Sequence, residues 1–272
     1  MYSTLNKSTN NQNSTKTLEG GCLVVHRSGL SFQHQGCLRW SRIAGPPEGS
    51  KKLSLFYFEL ETGNSKCLSF GESEAVLYLV TGDLEITIAD RIFRANVGSG
   101  VHIRAGEAFS MQNNSPHTAR ITATVCPGAA GFEQPSPHRN EFQSQYPDRV
   151  VDGGNTRKHA SGDRFYRLLV SAHSGSENVT QFIGMIPRSK SPQHFHLYEE
   201  VIYILSGHGM MWAGESNTPV SEGSMIFLPI RQAHCLECSD PDGMLLMGSF
   251  YPAGSPAVNY ASIDPDTGTE KI

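Results

Sequence analysis

Hydrophobic residues in this chain come in short runs that are either continuous or alternate with polar residues. Examples are residues 53–60 and 76–80, which lie between glycines and other turn-forming residues. Runs of this length and period are typical of β-strands. No long stretch has a helical period, and 27 Gly and 15 Pro fit frequent turns. The pattern therefore predicts an all-β protein made of many short strands.

The chain also resembles itself when it is displaced by 125 positions. Residues 76–82 (VLYLVTG) then align with 201–207 (VIYILSG), and Gly98 aligns with Gly223 without a gap. A constant offset over roughly forty residues indicates a duplicated unit. A chain of 272 residues can bury two cores. We therefore predict two units and three flanking segments: a disordered polar tail (1–20), a first unit (21–128), a connector (129–160), a second unit (161–262) and a tail (263–272).

One segment of the second unit carries side chains suited to metal chemistry. His194 and His196 point to the same side of a strand because side chains alternate, and Glu200 has the same parity. His234 follows a further apolar run and can arrive from a neighbouring strand. Three imidazoles and a carboxylate suit one divalent transition metal: iron, manganese, copper, nickel or zinc. The spacing therefore predicts one metal site, with the ligands His194, His196, Glu200 and His234.

These residues resemble the two motifs of the cupin signature. The first motif, His-x-His, three or four residues, Glu, six residues, Gly, is matched through to Gly207. The second motif is matched at Gly223, Pro229 and His234, whereas the chain departs from the family at three turn or pocket positions: Arg188, Arg231 and Cys238. The resemblance implies two tandem cupin barrels, also called jelly rolls or double-stranded β-helices. It also implies that the connector lies against the outer faces of the barrels.

The first unit lacks every ligand of the second. The aligned positions are Ser69, Gly71, Ala75 and Phe109, although Asn113 stands at the family's Asn position. The positions expected to face inward are apolar (Ala75, Leu77, Leu79 and Phe109). We therefore expect a first barrel with a dry core and one metal per chain, held by the second barrel.

Two charged residues beside the motif invite predictions of their own. Arg231 replaces a turn glycine three residues before His234, so we expect it to reach the pocket and orient an anionic substrate. Glu200 and Arg231 are thus the predicted catalytic residues. Glu199 has the opposite parity to Glu200 and is expected to point away from the metal, toward the surface.

Several other side chains near the motif have a structural default. Tyr198, Phe182 and Trp212 could line the pocket mouth, but packing in the barrel core is the default for aromatic residues. The Cys235-x-x-Cys238 spacing discriminates poorly, and a structural role is favoured over a functional pair. Cys238 shares the parity of His234, which leaves it open that this thiol faces the pocket.

Composition and charge narrow the choice of partners. The net charge is −4 and the Lys and Arg residues are scattered, which argues against nucleic acid. No apolar run approaches the length of a secretory signal or a membrane span. Six Cys without an export signal favour free thiols. We expect a cytoplasmic protein with a small, anionic substrate and no membrane partner; a homodimer is an open alternative.

Three functions are compatible with this site. Three neutral imidazoles and one carboxylate leave a divalent ion with a net charge of about +1 and, if octahedral, two open positions. The leading hypothesis is an oxidoreductase of the dioxygenase type that acts on a small anionic or oxygen-rich metabolite. A second is a non-redox isomerase, decarboxylase or hydrolase. The third is a non-catalytic cupin that binds a small molecule.

Overall fold

The computed structural model describes residues 15–133, 142–258, 262–263 and 270–271. Within these ranges the chain consists of β-strands and short 3-10 turns, as the hydrophobic pattern predicts. The first half contains thirteen strands: β1 (Thr15–Thr17), β2 (Leu23–His26), β3 (Gln33–Gln35), β4 (Leu38–Ala44), β5 (Ser54–Leu60), β6 (Gly63–Asn64), β7 (Leu68–Ser69), β8 (Glu74–Thr81), β9 (Leu84–Ile88), β10 (Arg91–Ala95), β11 (Ser99–Ile103), β12 (Ala108–Asn113) and β13 (Ala119–Cys126).

The second half repeats this series of strands. It contains β14 (Val150–Asp152), β15 (His159–Ser161), β16 (Arg164–Val170), β17 (Thr180–Ile186), β18 (Glu199–Ser206), β19 (His208–Ala213), β20 (Ser216–Ser221), β21 (Ser224–Leu228), β22 (His234–Cys238), β23 (Met244–Tyr251), β24 (Ser262–Ile263) and β25 (Glu270–Lys271). The 3-10 turns are Glu19–Gly21, Arg27–Gly29, Pro46–Glu48, Gly153–Asn155 and Ala172–Ser174.

Four sheets build two barrels, each from a large sheet facing a small one. In the first barrel the large sheet runs β14-β11-β8-β13-β5-β4-β3, and the small sheet runs β10-β9-β12-β6 with β7 also paired to β12. In the second barrel the large sheet runs β1-β2-β21-β18-β23-β17-β16-β15, and the small sheet runs β20-β19-β22. Each barrel encloses its own apolar core. The fold is therefore all-β with two tandem barrels.

The internal repeat of the sequence is also a repeat of strands. Strands β8 and β18 begin and end 125 positions apart, and the same holds for β11 with β21 and for β13 with β23. Alternation along each strand places one set of side chains in the barrel. On β18, for example, Ile202 and Ile204 belong to the core of the second barrel.

The outer faces of the two large sheets pack against each other and form a third apolar cluster. It includes Val76 and Tyr78 of β8 and Val201 and Tyr203 of β18. The rings of Tyr57 and Tyr203 stack across it with centroids 6.1 Å apart and an angle of 5° between their planes. These strands are thus buried on both faces, which explains why residues 53–60 and 76–80 are almost continuously apolar.

Each large sheet also includes a strand that lies outside the main series of strands of its own barrel. Strand β2 pairs with β21 of the second barrel, whereas β14 pairs with β11 of the first. This differs from the predicted boundaries in three places. Strand β2 lies in the predicted first unit but belongs to the large sheet of the second barrel. Residues 15–20 of the predicted disordered tail form β1 and part of a 3-10 turn, while residues 1–14 lie outside the described residues. The predicted connector 129–160 contributes β14 and part of β15.

Glu199 is buried, and its expected position at the surface is wrong. Its carboxylate accepts hydrogen bonds from the backbone N–H groups of Lys51, Lys52 and Leu53 at 2.7, 2.9 and 3.1 Å. The Ser50 hydroxyl donates a fourth, at 2.8 Å. Strand alternation correctly predicted that Glu199 points away from the metal motif, but that face of β18 is covered by the first barrel. Glu199 therefore ties the second barrel to the first.

Glu74, 125 positions earlier, makes the reciprocal connection. Its carboxylate accepts hydrogen bonds from the backbone N–H groups of Glu177 and Asn178 and from the Ser176 hydroxyl, all in the second barrel. The Nε2 atom of His102 lies 3.1 Å from the same carboxylate. Each barrel thus contributes one buried carboxylate that accepts hydrogen bonds from the other barrel, and we refer to Glu74 and Glu199 as the inter-barrel glutamates.

Candidate metal centre

Three histidines of the second barrel, His194, His196 and His234, are brought together by one short backbone pairing. The N–H and C=O groups of His194 and His234 exchange hydrogen bonds at 3.0 and 2.8 Å. The Arg231 N–H donates to the His196 carbonyl at 2.8 Å. The loop that follows β17 is thereby held beside the start of β22. Two segments forty residues apart in sequence are fixed as neighbours.

The three imidazoles lie close to the spacing of ligands on one ion. One ring nitrogen from each of His194, His196 and His234 lies within 4.8 Å of the other two. Two imidazole nitrogens bound to one ion at about 2.1 Å each are at most about 4.2 Å apart. Only a small contraction therefore separates the rings from coordination distance. In the described part of the chain, this is the one group of three or more potential ligand residues so placed.

Backbone carbonyls fix the orientation of all three rings. The Nδ1 atom of His194 lies 3.0 Å from the Pro192 carbonyl, and that of His234 lies 2.8 Å from the Gln232 carbonyl. His196 Nδ1 lies 3.3 Å from the carbonyl of Val258. Because a carbonyl can only accept, each Nδ1 carries the proton and each Nε2 keeps a lone pair. This arrangement is typical of metal-binding histidines.

Burial keeps these rings neutral. Removal from water lowers the pKa of His194, and it lowers the pKa of His196 to about 3, with a further contribution from the nearby His194. Burial and the other two rings place the pKa of His234 well below its ordinary value. Neutral imidazole is the form that binds a metal ion, so the cluster needs no deprotonation to do so.

Glu200 lies beside the three rings. It is buried, and its Oε2 atom is 3.5 Å from Nε2 of His196. Burial raises the pKa of this carboxyl group to about 8. Since His196 is neutral, this contact does not compensate a negative charge on Glu200. A divalent cation held by the three rings would do so, and the residues present therefore fit such an ion.

The rings and Glu200 border a cavity of about 130 Å³ inside the second barrel. Most of its wall is apolar, from residues of both sheets, including Phe182, Ile202, Met211, Leu236 and Leu246. Tyr198 also lines it, and its ring stacks on that of His196 with centroids 4.4 Å apart. Phe182 and Tyr198 thus belong both to the core and to the pocket, the two alternatives weighed from sequence.

The structure places Arg231 differently from the sequence-based expectation. Its side chain is exposed and is not among the described residues that line the cavity. Its backbone adopts φ of 62°, the left-handed conformation that explains why the family usually has Gly here. The arginine that does line the cavity is Arg164, on β16. No motif marks Arg164, although it shares the parity of Tyr166 and Leu168, which pack on the core.

Trp212 and the two cysteines take structural roles. The Trp212 Nε1–H donates to Glu237 at 2.9 Å, and the Lys190 ammonium lies 3.6 Å from its ring centroid. The Cys235 thiol donates to the Ser191 carbonyl, and Cys238 is buried in the barrel core. All six cysteines are free thiols.

In the first barrel, phenylalanines fill the region that corresponds to the metal centre. Phe109 aligns with His234 in the sequence repeat, and the ring of Phe70 stacks beside it with centroids 6.0 Å apart. Phe132, from the predicted connector, packs on Phe58 and Phe70 at 5.7 and 6.1 Å. The positions expected to face inward are all in the core (Ala75, Leu77, Leu79 and Phe109). The expected apolar interior of this barrel is confirmed.

Comparison with known families identifies the class of fold. Residues 181–247, which contain the histidine cluster, match the family model described as "Cupin domain". This match covers the greater part of the second barrel. With two barrels of the same strand order, the fold is that of two tandem cupin barrels.

Solved structures support this fold at low sequence identity. The crystal structure of protein YlbA from E. coli has a TM-score of 0.69 at 14% identity, with 88% of this chain and 94% of that chain covered. Bacillus subtilis oxalate decarboxylase, described with Mn(II) centres, has a TM-score of 0.70 at 14% identity over 87% and 78%. Lactobacillus farciminis oxalate decarboxylase with formate has 0.68 at 13% over 85% and 87%.

No curated protein sequence matches the chain. Within its described residues, no helix is long and apolar enough to cross a membrane.

Proposed function

We propose that the second barrel is the site of a mononuclear metal-dependent enzyme that acts on a small anionic or oxygen-rich metabolite. His194, His196 and His234 would hold one divalent transition metal, with Glu200 as the fourth ligand. The observation that supports this most strongly is the common orientation of three neutral rings. Each donates its Nδ1–H to a carbonyl, which leaves three Nε2 lone pairs beside a buried carboxylate.

The residues of this chain would contribute binding, charge balance and exclusion of water. The metal, when bound, supplies Lewis acidity and, if it is iron, copper or manganese, redox chemistry. Glu200 offsets one positive charge and so leaves about +1 to attract an anion. The apolar wall keeps bulk water away, which strengthens every electrostatic interaction in the cavity.

We favour a dioxygenase-type reaction as the leading class. Four protein ligands leave two positions open in an octahedral ion, enough for a substrate and dioxygen side by side. The apolar wall supports this, since dioxygen is an apolar molecule that such surfaces accommodate without loss of hydrogen bonds. The substrate would present its anionic group to the polar residues of the cavity wall, which include the three rings and Arg164.

A metal-dependent decarboxylation is the second candidate. One observation favours it: the similar structures include oxalate decarboxylases. In this alternative the metal would supply Lewis acidity to the bound carboxylate, and Glu200 would remain its fourth ligand.

One experiment separates these classes. The protein is purified without oxygen, its metal content is measured, and a panel of small organic acids is tested for oxygen uptake and for release of carbon dioxide. The His194→Ala/His234→Ala double variant is the control. Metal-dependent oxygen consumption would support the dioxygenase, and carbon dioxide release without net oxygen consumption would support the decarboxylase. A metal-loaded protein that binds acids but converts none would contradict both.

A further inference from the structure

Arg164 stands where a second cleft opens into the cavity of the second barrel. This outer cleft has a volume of about 480 Å³ and shares four wall residues with the inner cavity, namely Ser161, Arg164, Ser191 and His194. These shared residues form a neck between the solvent side and the metal centre. Arg164 supplies the positive charge of that neck, and it is close enough to His194 to interact with it electrostatically.

Arg164 is held in this position by strand β16 and is available to a ligand. Tyr166 and Leu168, on the same face of β16, pack on the barrel core, so Arg164 points toward the interior as well. About 27% of its side chain is exposed. Its ion pair with Asp163 is long, at 3.9 Å, and the Asp163 side chain is 66% exposed, so water weakens it. An incoming carboxylate could replace this contact at little cost.

The rest of the cavity wall sets a different requirement. It includes many hydrophobic side chains, among them Ile202, Leu236 and Leu246. A volume of about 130 Å³ corresponds to roughly four water-sized groups. A second charged group placed there would be desolvated without a partner, which is costly. A short alkyl group would instead gain hydrophobic stabilisation.

We propose that the site selects small monocarboxylic acids with a short apolar chain, and that Arg164 is the residue that selects the carboxylate. The carboxylate lies at the neck, between Arg164 and the metal, and the apolar chain of about four carbon or similar atoms occupies the barrel interior. Oxalate and similar dicarboxylates lack the apolar part and are poor ligands. This inference rests on the proposed metal-dependent function of the same site.

Calorimetric titration of the zinc-loaded protein tests the proposal, because zinc keeps the protein redox-inert. The ligands are acetate, butyrate, pentanoate, heptanoate and oxalate. Affinity should rise about fourfold for each added methylene group, since each contributes about 0.8 kcal/mol, and should level off at about four carbons beyond the carboxylate. Oxalate should bind at least tenfold more weakly than pentanoate. No dependence on chain length, or tighter binding of oxalate, would overturn the proposed substrate class.

The role of Arg164 is tested with Arg164→Gln and the matched control Arg188→Gln, an exposed arginine of the same barrel. Arg164→Gln should lower carboxylate affinity tenfold or more with unchanged zinc content, and Arg188→Gln should match the wild type. Equal affinity in all three proteins would overturn the role of Arg164. If no zinc binds, the proposed function fails, and the same titrations on metal-free protein decide whether Arg164 still selects monocarboxylates.

Discussion

The substitution Glu199→Gln is expected to destabilise the protein without changing the metal centre. Glu199 Oε1 accepts from the Lys51 N–H, and Oε2 accepts from the Ser50 hydroxyl and from the Lys52 and Leu53 N–H groups. Glutamine has the same shape but only one acceptor oxygen. If that oxygen takes the three-donor side, the amide NH₂ must face the N–H of Lys51. A buried donor is then left without an acceptor.

The magnitude follows from these four hydrogen bonds. One buried donor without a partner costs about 1–3 kcal/mol. The other three bonds lose the assistance of a full negative charge, which roughly halves each and costs about 0.7–1.5 kcal/mol apiece. The sum is about 3 kcal/mol or more. With a urea m-value of about 3 kcal/mol/M, the unfolding midpoint should fall by roughly 1 M.

The assay uses the two tryptophans of the chain as separate reporters. Trp40 packs on the core of the first barrel and Trp212 lies on β19 of the second. Urea unfolding followed by fluorescence, with each tryptophan in turn replaced by Phe, shows whether the barrels lose stability together. Glu72→Gln is the matched control, since Glu72 is exposed and lies two residues from the other inter-barrel glutamate. A midpoint for Glu199→Gln that equals the control would refute the role of Glu199.

Three further substitutions have defined outcomes. Burial raises the pKa of Glu74, but hydrogen bonds from His102 and two backbone N–H groups lower it more. The stabilisation that Glu74 contributes is therefore present above the unfolded pKa of about 4.3 and is lost as the pH falls through the lower folded value. Glu74→Gln should reduce the loss of stability at acid pH, measured by urea unfolding from pH 3 to 7, and an unchanged loss would contradict this. Phe132→Ala should cost about 2 kcal/mol in unfolding measurements yet leave the metal content unchanged, because Phe132 packs in the first barrel. Glu200→Gln should keep a measurable fraction of bound metal in elemental analysis but lose most turnover, since three imidazoles alone can retain an ion; complete loss of the metal would contradict it.

Much of the fold was predictable because it depends on local periodicity. The offset of 125 residues predicted a structural repeat, and β8 and β18 are indeed displaced by 125 residues. Alternation likewise predicted that His194 and His196 share a face, and the bridge from His194 to His234 supplies the third ring.

Other features depend on what covers a strand, which periodicity does not contain. The position of Glu199 in the alternation predicted which face of β18 it lies on, but not that the first barrel covers this face. The pairing of β2 with β21 joins segments about 200 residues apart, and no local pattern specifies such a contact. Arg164 was missed because a single arginine on a strand carries no motif, and the signal that could have found it was the inward parity of Tyr166 and Leu168.

Metal stoichiometry tests most directly whether the second barrel holds the functional centre. The purified protein is loaded with a divalent transition metal, freed of excess, and measured by elemental analysis beside the His194→Ala/His234→Ala double variant. We expect one ion per chain in the wild type and none in the double variant, since the first barrel carries Ser69 and Phe109 at the corresponding positions. A value near two, or metal retained by the double variant, would show that the ion is held elsewhere.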